Sequence, residues 1–343
     1  MSSTTARKKI LDVTLRHVKI DGIEKGKAAV SVEGSGSTTI KLEGDNELVG
    51  GYEHAALEKN DDRNAGKQGS LTITADSETS GKLTATGGNG DAGIGSSRFN
   101  NTSNITISGG TVEAPGGGRR PYDNGNGADY TYGGEASNIK ITGGDVKATG
   151  DSGGAGIVGG LHGKATDNGI SSDKVNATGN NGGAGIGDGM LGGAEKISIS
   201  GDDTVVDATS ETYVNGFTNA GAFGGGDGGK GEVTITEGTV DATSGKYGAG
   251  IGGGAFGNAS DTAGHGKVNI LGGAITAIAG SKASAIGNGS TISGSTDAPV
   301  ITIDGAVADV TIDAIVKDSS QIAIGDGSKV MEARLKPLSP LVI

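Results

Sequence analysis

Residues Gly150 to Gly154 read GDSGG, the pentapeptide that surrounds the nucleophilic serine of two-barrel serine proteases. A serine nucleophile needs a base to take its proton and an acid to orient that base. The four histidines, His17, His54, His162 and His265, are dispersed, and the nearest, His162, falls in the loop-like segment GLHGKA. The pentapeptide also has sister turns within the chain. In the frame set by the alanine seven residues before each Ala-Gly-Ile-Gly-like motif, Ser152 corresponds to Asn89, Asn181, Lys246 and Ser281. These positions share only smallness, flexibility or polarity, so Ser152 is read as a turn residue and no catalytic residue is assigned. With 70 glycines, GxGxxG matches arise by chance, and neither GxxxxGK[ST] nor HExxH occurs.

Residues suited to binding stand where the repeat is broken. The segment Pro115 to Gly134, PGGGRRPYDNGNGADYTYGG, is longer than its sister turns and holds Arg119, Arg120, Tyr122, Asp123, Tyr130 and Tyr132. Exposed rings stack on the apolar faces of sugars, and guanidinium and carboxylate groups take hydroxyls or uronates. A second lengthened turn, SETYVNGFTNAGA at 210–222, adds Tyr213 and Phe217, and Tyr247 occupies the equivalent turn further on. The plainer reading is decoration, with Tyr130 replacing an apolar anchor. Asp188 and Asp227, each in Gly-Asp-Gly, and Asp203 and Asp207, beside or on strands, form a candidate calcium set. Carboxylates on adjacent turns of a repeat repel unless a hard cation lies between them. Solvated surface charge is the alternative for each of them.

The elements that must position these groups follow from composition and repeat. Glycine is 70 of 343 residues, aromatic residues are 3% and tryptophan is absent. Large apolar side chains are too few for a conventional core of this length. Ala-Gly-Ile-Gly recurs at Ala92, Ala184 and Ala249, with near-copies at Ala155, Ala220 and Ser284. Their central residues are Ile94, Ile157, Ile186, Ala222, Ile251 and Ile286; Tyr130, Leu57 and Val30 extend the ladder to nine units. Each anchor precedes an alternating strand such as ITISGG (105–110), IKITGG (139–144) or VTITEG (233–238), then a second short strand such as TVEA or TVDA. Alternation turns Ile105 and Ile107 inward and Thr106 and Ser108 outward. Three short strands in units of 27–37 residues predict an all-β chain: a single parallel β-helix of nine or ten coils. Right-handed winding is the default for parallel crossovers. The domain is expected over 10–329, with a basic extension at 1–9 and a cap or linker at 330–343.

The net charge of −12 argues against nucleic acid as a partner. No run of 18 apolar residues points to membrane insertion. Cysteine is absent, which excludes disulfides and thiolate metal sites, and no organic cofactor is expected.

The order DVTLRHVKIDG, AAVSVEG, TTIKLEGDNELVGG, HAALEKN, GSLTITADSETSGKLTATGG, AGIG, NITISGG resembles the β-helical carbohydrate-binding domain of bacterial cell-surface proteins, over roughly residues 10–290. The resemblance implies a right-handed β-helix, calcium binding, an extracellular or cell-surface location, and attachment to plant-type or acidic polysaccharide without catalysis. It assigns no binding residue individually, because the repeated motif is structural. Arg119 to Tyr132 departs from the family pattern. The competing expectations are a structural stalk, adhesin or phage tail-fibre segment with no glycan ligand, and a polysaccharide lyase. Ice binding, which wants regular Thr-x-Thr rows, is a further alternative.

Overall fold

The computed structural model describes residues 10–326, apart from 63–67, 78–79, 89–90, 98–99, 118–133, 151–154, 159–162, 172–173, 181, 191, 212–219, 226–228, 256–264, 281–282, 291–297, 306 and 318–320. Within them the chain winds as a parallel β-solenoid. Ten successive strands form a first face, from Ile10–Arg16 through Ala194–Ile199 to Val300–Ile303. A second face runs from Lys19–Asp21 through Val205–Ser210 to Val310–Ile315. The long strands Ser37–Val49, Thr102–Pro115 and Ala136–Thr149 serve both faces, bending between them. Two-residue strands such as Ile186–Gly187 and Ile251–Gly252 make the anchor edge. Numbering coils by their first-face strands gives ten, the upper of the two expected counts.

Every strand pairing is parallel, and equivalent residues stack one coil above another. On the first face the inward column is Val13, Ile40, Ile73, Ile107, Ile141, Ile170, Ile199, Ile235, Ile270 and Ile303. Facing it from the second face is an alanine column, Ala148, Ala177, Ala208, Ala242, Ala277 and Ala314. Small residues opposite branched ones keep the lumen narrow and fully packed, which explains the scarcity of aromatics. A polar residue interrupts the inward stack of the first face. Asn168 sits between Ile139 and Ile197, where its Oδ1 accepts the Ile139 N–H at 2.8 Å. Its Nδ2 lacks a partner, beside a void of about 10 Å³.

The glycine content has two distinct causes. Corners between the faces need a left-handed backbone, met by Gly110, Gly144, Gly201, Gly238 and Gly273 at φ between 86° and 100°. The glycine after four of the anchors has a second constraint, close approach. A Cβ on Gly187, Gly224, Gly252 or Gly287 would lie 2.0–2.3 Å from the carbonyl oxygen of the equivalent glycine one coil on.

The structure corrects one anchor. Phe223, rather than Ala222, stacks between Ile186 and Ile251, with Gly224 between Gly187 and Gly252. The motif in that coil is therefore Gly-Ala-Phe-Gly at 221–224, one residue later than the Ala220 alignment. Phenylalanine is accepted because Ala222 and the flanking glycines bring little bulk of their own, and Phe223 is fully buried.

Candidate functional site

The GDSGG turn is in register with its neighbour. Gly150 donates its N–H to Thr178 O at 2.8 Å and accepts from Asn180 Nδ2 at 2.9 Å. Residues 151–154, and so Ser152, lie outside the described residues. So do Arg119, Arg120, Tyr122, Asp123, Tyr130, Tyr132, Tyr213, Phe217 and Asp227. Tyr247 is described: it is half-buried in the turn before the eighth anchor, with the Lys246 ammonium 5.0 Å from its ring centre. Tyr52, in the corresponding turn of coil 2, is 61% exposed and was not singled out by the sequence.

Asp188, Asp203 and Asp207 occupy different parts of the coil. Asp203 is exposed at the corner after the seventh first-face strand. Asp207 lies on the second face directly opposite Asp241 of the next coil, both exposed. Asp188 follows the anchor pair Ile186–Gly187 and is fully buried. Among the described residues no three carboxylates or imidazoles gather as a metal-binding group.

Asp188 Oδ1 accepts the Ala165 N–H at 2.6 Å, tying the end of coil 6 back to its start, while Oδ2 has no hydrogen-bond partner. Burial pushes its carboxyl well above the ordinary aspartate range, against the stabilising Ala165 hydrogen bond. The equivalent residue in coil 9, after Ile286–Gly287, is Asn288, whose Oδ1 accepts the Gly266 N–H at 2.8 Å. A neutral amide therefore does the same structural work. A folded-state pKa above the unfolded one favours folding at acid pH. That contribution is complete below the ordinary aspartate range and is lost as pH rises through the elevated folded value. Asp188→Asn should abolish this slope and leave the variant more stable than the parent at pH 8, by on the order of 1 kcal/mol. Urea unfolding at pH 5 and pH 8 checks it; unchanged pH dependence would contradict the assignment.

A concavity lined by polar side chains opens on the described surface. It lies on the first face across coils 2 to 5, with a volume of about 450 Å³. Ser35 and Ser37 come from coil 2, Gln68 and Ser70 from coil 3. Coil 4 supplies Asn104 and Thr106, and coil 5 supplies Asn138 and Lys140. Four coils at the parallel strand spacing make the floor about 14 Å long. Strand alternation aims these side chains outward while their neighbours Ile40, Ile73, Ile107 and Ile141 fill the lumen beneath.

The groove's wall is strained. Asn104, Asn138, Asp167 and Lys196 stack in successive coils, all left-handed at φ 52–57°. Each such non-glycine residue costs about 1 kcal/mol or more. Asparagine tolerates the conformation best, and Asn138 Nδ2 donates to Asn104 Oδ1 at 2.7 Å, tying the first two together. In the next two coils the ladder becomes an ion pair, Lys196 to Asp167 at 3.0 Å.

The electrostatics of the groove differ from those of the faces around it. Four lysines lie on first-face strands: Lys41, Lys140, Lys196 and Lys267. Lys41 pairs with Asp76 at 2.8 Å, Lys196 with Asp167 and Lys267 with Glu232 at 2.6 Å. Lys140 is exposed, makes no ion pair among the described residues, and lines a groove whose walls contain no carboxylate. Hydroxyls, amides and one free ammonium suit a ligand dense in hydroxyl groups.

None of these residues was singled out by the sequence, which showed Thr106 and Ser108 only as outward positions of a strand. The groove arises from stacking in register, and outward serine, threonine and asparagine are also what a solvated strand would carry. No curated protein and no solved structure matches the chain. Five segments, residues 79–98, 105–130, 139–160, 170–190 and 233–255, match the family described as "Beta helix repeat", in phase with the coils seen here, and over them the chain is similar to proteins of that kind.

Proposed function

We propose that this β-helix is a non-catalytic polysaccharide-binding module that acts outside the cell or at its surface, with the first-face groove as its binding site. The observation that carries the reading is the groove itself: about 450 Å³ of concave surface lined by four hydroxyls, three amides and one ammonium. Such side chains exchange hydrogen bonds with sugar hydroxyls while the isoleucine column beneath holds them rigid. The strained Asn104–Asn138 ladder supports the same place, since strain persists where a site needs a fixed geometry. Calcium assistance remains part of the proposal, with Asp207 and Asp241, opposed on adjacent coils, as the pair best placed to share a cation.

Binding without cleavage fits the lining. A lyase needs a base for the proton alpha to a uronate and a cation to neutralise that carboxylate. The described groove offers a single ammonium for both tasks.

The test is a glycan array run with calcium and with chelator, on the parent chain and on Ser70→Ala/Thr106→Ala. Retention of one or more polysaccharides, weakened at least fivefold by the groove variant, is the expected result. Loss on Tyr122→Ala/Tyr130→Ala with the groove variant unaffected would move the site to the 115–134 segment. No binding to any glycan would leave the solenoid as a stalk. Unsaturated products from polygalacturonate would make it a lyase.

A further inference from the structure

We infer that Lys140 makes the coil-5 end of the groove a subsite for one oxyanion of the glycan, a uronate carboxylate or a sulfate ester, read directly by the ammonium without a bridging metal. The inference rests on the polysaccharide-binding reading and adds to it which end of the groove takes the charge, and through which atom.

Three observations converge on that position. Among the described residues Lys140 is the first-face strand lysine left without a carboxylate, whereas Lys41, Lys196 and Lys267 are each neutralised by a neighbour in an adjacent coil. Its in-register neighbours are Thr106 in coil 4 and Gly169 in coil 6. Thr106 continues the polar floor, and Gly169 has no side chain to stand beside the ammonium on the far side. A Cβ built on Gly169 would meet only Ser198 Oγ, at 3.3 Å, so the glycine is not there to relieve backbone crowding. Finally, the remaining groove residues are uncharged. A chain lying along the floor therefore meets hydroxyls and amides over coils 2 to 4 and a single positive charge at coil 5.

The acidic body sharpens this selectivity. A net charge of −12 repels a dense polyanion at long range, and salt screens that repulsion over about 8–10 Å. Direct contact between the Lys140 Nζ and one oxyanion is the attractive term that survives at close range. Sparsely charged glycans should therefore bind better than fully charged ones of the same backbone.

The experiment titrates the full chain with polygalacturonate at low and high methyl esterification, and with a sulfated galactan, each in calcium and in chelator. Partly esterified polygalacturonate should bind in chelator, and Lys140→Gln should weaken it about tenfold, the worth of one charge-assisted hydrogen bond. The same variant should leave the fully esterified, neutral chain within twofold of the parent. Gly169→Glu, which keeps Lys140 but sets a carboxylate beside it, should imitate Lys140→Gln, while Lys140→Arg should retain binding. A uronate-specific loss identifies the carboxylate as the oxyanion; a loss confined to the galactan identifies the sulfate ester. Equal weakening of neutral and anionic chains, anion binding that vanishes in chelator, or anion binding indifferent to Lys140→Gln would each overturn the inference with glycan binding intact. Absence of any binding by the parent chain would instead remove the reading on which the inference rests.

Discussion

Gly252→Ala is expected to destabilise the chain by about 3–5 kcal/mol. Gly252 adopts φ +129°, where residues bearing a Cβ are rare, and that Cβ would sit 2.1 Å from Gly287 O. The obstruction is backbone of the next coil, so no side-chain rotation relieves it. The coil would have to move away from its neighbour, breaking the Ile251–Ile286 pairing and the 2.9 Å hydrogen bond from Gly253 N to Gly287 O. Because stability in a solenoid is close to a sum of nearest-neighbour terms, damage at one interface weakens coils on both sides. Two controls separate the causes. Gly34→Ala keeps a strained φ of +88° with nothing within 4 Å, so it should cost about 1 kcal/mol. Gly169→Ala has ordinary backbone and meets only a serine hydroxyl, so its effect should stay within about 0.5 kcal/mol. Urea midpoints for the three variants decide the matter. A Gly252→Ala protein as stable as Gly169→Ala would mean that the anchor glycines do not stack as described.

Phe223→Ala should cost about 3–5 kcal/mol, the usual range for emptying a fully buried aromatic site. Phe223 is completely buried and stands between Ile186 and Ile251 in the anchor ladder. Phe223→Ile puts back the residue that both neighbours use, so it should recover most of the loss and remain about 1–1.5 kcal/mol below the parent. The alignment that places Ala222 in the ladder predicts otherwise, since Phe223 would then point outward and its truncation would cost almost nothing. Thermal unfolding of the two variants therefore tests the register of coil 7 as well as its packing.

The repeat was legible because strand alternation and stacking both act on sequence. Ile105 and Ile107 inward with Thr106 outward follows from period two, and the spacing of Ala-Gly-Ile-Gly sets the coil length. Two features escaped. The tenth coil ends at Ile324–Gly325, in the sequence QIAIGDG, where the Ala-Gly pair that precedes Ile94, Ile157, Ile186 and Ile251 is missing. Phe223 escaped because both Ala-Gly-Ala-Phe and Gly-Ala-Phe-Gly resemble the motif, and only pairing across coils chooses between them. The acidic positions illustrate the same limit. Asp188 and Asp227 share a Gly-Asp-Gly context, yet register puts Asp188 level with Gly225, which follows the Phe223–Gly224 anchor, rather than with Asp227.

The groove was less legible still, for a physical reason. Ser37, Ser70, Asn104 and Asn138 are separated by roughly a full coil in sequence, and nothing local distinguishes them from other outward polar residues. Their significance comes from a shared left-handed ladder at Asn104 and Asn138 and from the absence of a carboxylate beside Lys140. Both are properties of neighbouring coils. The aromatic insertions drew attention in the sequence because they interrupt the repeat, whereas the groove is made by residues that obey it.

The most direct test of the first-face groove as the glycan site uses the absence of cysteine from the chain. Single cysteines placed at Ser70, at Thr106 and, on the opposite face, at Thr243 can each be alkylated with and without saturating, partly esterified oligogalacturonate. The glycan should slow alkylation at positions 70 and 106 and leave position 243 unchanged. Equal rates at all three positions in the presence of a glycan that demonstrably binds, or protection at 243 alone, would place the site elsewhere and contradict the account.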